Sequence, residues 1–136
     1  MFLSRLNPTE KDCFIKLAVA IMKADGCVEK VEKDFLSVYT KELQLPTLNL
    51  EEQYNINPII EELAKNSTIQ NKRIIFLELL ALALVDGEYA IEEKTILGQL
   101  IKAFELEPSF VEQAINTEDA YISTYLTIVD LIEKGE

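Results

Sequence analysis

The sequence predicts an all-α protein, and three observations carry that prediction. Apolar residues recur at the spacing of helix faces through most of the chain, no segment sustains the alternation of a strand, and a helix-loop-helix pattern occurs twice. A chain of 136 residues that is 49% hydrophobic and 27% charged suits one globular domain over residues 1–136. The expected architecture is a compact bundle of about six or seven helices.

The elements follow in order. Asn7-Pro8-Thr9-Glu10 supplies a cap, an N1 proline and an N3 acid, and Phe14, Leu17, Ala18, Ile21 and Met22 then share one helix face. Val31, Phe35, Val38, Tyr39 and Leu43 mark a second helix, which should stop before Pro46 because the residue ahead of a proline is pushed out of helical geometry. Leu45 to Asn57 reads as a connector. Pro58 to Lys65 is a short helix capped by Asn57, with Ile59, Ile60, Leu63 and Ala64 inward. Ser67-Thr68-Ile69-Gln70 has the pattern of a capping box, and the run from Ile74 to Val85 behind it is apolar nearly all round, which makes that helix central. Glu92 to Phe104 places Ile96, Leu97, Leu100, Ile101 and Phe104 on one face and ends at Glu107-Pro108. Pro108 to Ile115 is a short helix, and Ile122, Tyr125, Leu126, Val129 and Ile132 mark a last one from about Thr117.

Charge and composition exclude several functions. Lys and Arg total 13 against 24 Asp and Glu, and the net charge of -11 repels nucleic acid phosphates and anionic lipid headgroups. Histidine is absent, so Ser-His-Asp, Cys-His and zinc-His chemistry are all excluded. No phosphate loop or catalytic dyad is recognisable, and the expectation is that the chain is not an enzyme. Glu78, within the most apolar helix, is the one candidate for a buried acid with a raised pKa; a charged helix edge or pairing with Lys or Arg is the commoner arrangement. Tyr121 and Tyr125, one turn apart, read as a packing edge.

Met1 to Pro8 lacks the apolar core of a signal peptide, and Ile74 to Val85, interrupted by Glu78, is too short to span a bilayer, so a cytoplasmic location without a transmembrane segment is expected. Cys13 and Cys27 should not be bonded to each other, since a helix between them separates them by ~20 Å.

The duplicated pattern is the most informative feature. Asp25-Gly26 recurs as Asp86-Gly87 and Glu32 as Glu93, both at an offset of 61 residues. The same offset pairs Ala20 with Ala81, Lys33 with Lys94, Leu36 with Leu97, Lys41 with Lys102 and Leu45 with Leu106. Two helix-loop-helix units, about 14–45 and 75–106, are implied, packed face to face with approximate two-fold symmetry. Gly26 and Gly87 stand where a helix ends in a left-handed residue, and Glu32 and Glu93 fall in the first turn of the next helix, where the dipole favours a carboxylate. With Gly26 as position 6 of a calcium loop, Asp25, Val28 and Glu32 match positions 5, 8 and 12, as do Asp86, Tyr89 and Glu93 in the second copy. Positions 1 and 3 would be Ile21 and Lys23, or Leu82 and Leu84, so a standalone EF-hand is excluded.

Ala24-Asp25-Gly26 with Glu32, and Val85-Asp86-Gly87 with Glu93, each preceded by an apolar helix, resemble the TerB-like family of tellurite-resistance-associated helical domains. The resemblance implies a stress-response domain in which acids of both loops gather into a divalent metal site. Carried over residue by residue, that site is Asp25, Glu32, Asp86 and Glu93, and its partner would be another protein of a stress-response assembly. The loops differ in detail, with Cys27-Val28-Glu29 in the first and Glu88-Tyr89-Ala90 in the second.

Four gathered carboxylates repel one another, which makes a hard cation such as Ca²⁺ or Mg²⁺ a natural ligand, bound weakly because the first half of each loop lacks oxygen donors. The alternative is a metal-free interaction module. In it each Asp-Gly turn only staples two helices together, while the acidic face or the apolar residues near Met1-Phe2-Leu3 recruit a basic or amphipathic partner. The acidic group Glu88, Glu92 and Glu93 would be a solvated helix start or the rim of the site. Tellurite is an anion and is not the expected ligand of so acidic a chain.

Overall fold

The computed structural model describes residues 2–23, 55–84 and 95–134, together with 37, 38 and 41. Among the described residues there are helices and no strands. A 3-10 turn at Leu3–Arg5 leads into α1 (Pro8–Lys23), α2 (Ile56–Asn66), α3 (Ile69–Leu84), α4 (Ile96–Ala103) and α5 (Pro108–Glu133). Ser37, Val38 and Lys41 have helical backbone inside the span expected for a second helix, but Val38, assigned above to its apolar face, is 56% exposed.

Helix α3 is the centre, as its all-round apolarity requires. Its residues Ile75, Phe76, Leu79, Leu80 and Leu82 are fully buried, and it packs against α1, α4, α5 and the 3-10 turn. Helix α2 bridges α1 and α4. Full burial of each such Leu, Ile or Phe contributes about 1.5–3 kcal/mol. Helix α1 adds Phe14, Leu17, Ala18 and Met22 from the expected face, and Cys13, Ile15 and Val19 besides. Leu3 and Leu6 close the end of the core, so Phe2, 45% exposed and covered by the Arg5 guanidinium at 5.2 Å, is the exposed apolar group there and Leu3 is not. Cys13 is a buried free thiol whose pKa is pushed up by burial, with the Asp12 charge adding to it. Two further basic side chains pack on aromatic rings: Lys72 lies 5.9 Å from the Phe104 ring and Arg73 4.6 Å from that of Phe110, which in turn tilts against Phe76.

Several boundaries differ from the sequence expectation, each for a local reason. Helix α2 begins at Ile56 with Asn55 as its cap, because the Asn55 side chain accepts the Asn57 N–H and Pro58 fits within the first turn, where N–H groups have no helical partner. Helix α3 is capped by Thr68 and not by Ser67: the Thr68 hydroxyl accepts the Asn71 N–H at 3.1 Å. Helix α4 begins at Ile96, not Glu92, with Thr95 in extended geometry accepting the Gly98 N–H.

The two last expected helices are one. Nothing at Asn116-Thr117 breaks the helix, and Val111, Ile115, Glu118, Ile122, Tyr125 and Val129, spaced alternately four and three apart, keep one face partly or wholly buried across the supposed gap.

Helix α4 stops before Glu107-Pro108, through a Schellman motif. Leu106 N–H reaches Ile101 C=O at 3.0 Å and Glu105 N–H reaches Lys102 C=O at 3.2 Å, with Glu105 left-handed at φ 53°. A residue with a Cβ is strained there and glycine is not. Glu105→Gly should therefore stabilise the protein by about 0.5–1 kcal/mol, read as a rise in the urea midpoint; an unchanged or lowered midpoint would contradict that account.

Candidate functional site

Asp25, Glu32, Asp86 and Glu93 all lie outside the described residues, as do Cys27 and the acidic group Glu88, Glu92 and Glu93. What is described is the pair of helices that lead to the two loops and the start of the helix that follows the second. The first turn of α4 is Ile96 to Gln99, so Glu93 precedes the Thr95 cap and does not occupy that turn. Among the described residues no three Cys, Asp or Glu side chains are gathered so as to hold a metal ion.

The two leading helices are alike in ways the sequence reading did not reach. Helices α1 and α3 begin at equivalent residues, Pro8 becoming Ile69 on adding 61. Their caps, Asn7 and Thr68, are separated by the same interval. Glu10 N–H donates to the Asn7 side-chain oxygen at 2.8 Å, just as Asn71 N–H donates to Thr68. Lys11 N–H bonds Asn7 C=O at 2.9 Å, and Lys72 N–H bonds Thr68 C=O at 2.9 Å. Burial repeats as well: Cys13, Phe14, Ile15, Ala18 and Val19 are buried in α1, and their counterparts Ile74, Ile75, Phe76, Leu79 and Leu80 are buried in α3.

The counterparts Glu10 and Asn71 also touch. The Asn71 side-chain amide donates to Glu10 Oε1 at 2.9 Å across an interval of 61 residues. The same Oε1 accepts the Asn7 N–H at 2.9 Å, completing a reciprocal capping box. Glu10 is 3% exposed, and among the described residues its Oε2 has no hydrogen-bond partner. A carboxylate is favoured at this point because the first turns of two helices, each with free N–H groups, meet there. Extending the offset toward the N-terminus, from Ala20/Ala81 to Glu10/Asn71, is the sequence signal that would have found the contact.

A second acidic pair joins α3 to α5. Glu78, half-buried in α3, projects its charge onto Glu118 and Tyr121 of α5. Burial and then the Glu78 charge raise the Glu118 carboxyl from an ordinary 4.5 to about 7. The Tyr121 hydroxyl is raised by burial and by the charges of Glu78 and Glu118. Tyr121 is nevertheless 45% exposed, so only half-buried Tyr125 fits the packing edge expected of the two. Sequence reasoning singled out Glu78 and missed Glu118, whose place on the inward stripe of α5 emerges only once that helix is continuous.

Among the described residues no helix is long and apolar enough to cross a membrane. Comparison of the chain with protein-family models, curated proteins and solved structures finds no match.

Proposed function

We propose that the chain is a cytoplasmic TerB-like stress-response domain. Two helix-loop-helix units related by a pseudo-two-fold axis would hold a divalent cation weakly between their loops, through Asp25, Glu32, Asp86 and Glu93. The observation that carries this reading is the hydrogen bond between Glu10 and Asn71, which occupy equivalent positions in the first turns of α1 and α3. Equivalent residues of two symmetric units meet only beside the axis that relates them. In such an arrangement α1 and α3, which pack against each other, would lead the turns that follow them toward one end of the molecule. Four acids brought together there would need a counter-ion, and Ca²⁺ or Mg²⁺, with backbone carbonyls and water completing the shell, suits an all-oxygen set.

The test is thermal. For a site with millimolar affinity, a tenfold excess of Ca²⁺ or Mg²⁺ stabilises the fold by about 1.4 kcal/mol, a rise of roughly 4–5 °C in Tm for a chain of this size. Wild type should show that rise and lose it on chelation, while Glu93→Ala should show none. Equal shifts in both proteins, or no shift in either, would remove the cation. The metal-free reading predicts the second of these outcomes, and the large apolar side chains exposed on α5 favour it.

A further inference from the structure

We draw no further inference here: the strongest candidate, the cleft between α2 and α4 lined by Ile60, Glu61, Gln99, Ile101 and Lys102, is open to solvent, and nothing in the structure shows what covers it.

Discussion

Replacing Glu10 with alanine should destabilise the protein by about 2–3 kcal/mol, a fall of roughly 8–10 °C in Tm. The loss has two sources. Glu10 Oε1 accepts both the N–H of the Asn7 cap and the Asn71 amide of α3, and removing it breaks the reciprocal half of the α1 capping box while leaving a partly buried Asn71 donor without its acceptor. Glu10→Gln retains an oxygen in that place and loses only the charge facing two helix N-termini, so it should lose about 1 kcal/mol. Combining Glu10→Ala with Asn71→Ala should be less damaging than the sum of the single changes, by about 1 kcal/mol, measured by urea denaturation. Strict additivity would mean that the contact does not join the two helices energetically.

Acid should stabilise the junction of α3 with α5, against the usual behaviour of a protein carboxylate. The folded protein holds the Glu118 proton up to about pH 7, whereas the unfolded chain releases it near 4.5. Between those values the folded state binds more protons than the unfolded state, so stability falls as pH rises. This contribution is fully present below 4.5 and gone above about 7. The raised pKa, reduced by about half because the carboxyl keeps contact with solvent, corresponds to about 2 kcal/mol. Glu118→Gln should therefore melt several degrees above wild type at about pH 8, and the gap should narrow toward pH 4.5. A gap that stays constant over this range would contradict the assignment, whatever the other acids contribute to the overall pH profile.

Much of the framework was legible in the residues themselves. The central position of α3 followed from an apolar surface that no exposed helix carries, and the Asn7–Glu10 capping box followed from residue types at a fixed spacing. Boundaries were less legible where two residues compete for one role. Ser67 and Thr68 both suit a cap, and the distinction lies in which hydroxyl reaches an N–H; Thr68 does, while the Ser67 hydroxyl is buried with no hydrogen-bond partner among the described residues. The end of α4 was placed at Phe104, its C-cap, but the terminator was not legible, because a left-handed glutamate, where glycine is the usual signal, ends the helix ahead of Pro108. The continuity of α5 was missed because apolar periodicity weakens around Asn116-Thr117-Glu118, although the helix has no backbone reason to stop there. Of the four acids chosen for the candidate site, the residues alone supply the pairing at one offset; the described helices add a reason for two equivalent units to sit side by side.

The sequence by itself determined that the chain is helical, that it is strongly acidic, and that one stretch of it is repeated, because periodicity, composition and offset are properties of a linear string. Only the tertiary structure decided that Glu10 meets Asn71 and that Glu118 lies within reach of the Glu78 charge. Those relations join residues far apart in the chain. They depend on which helix faces pack together and on where one helix ends relative to another, which no local pattern encodes.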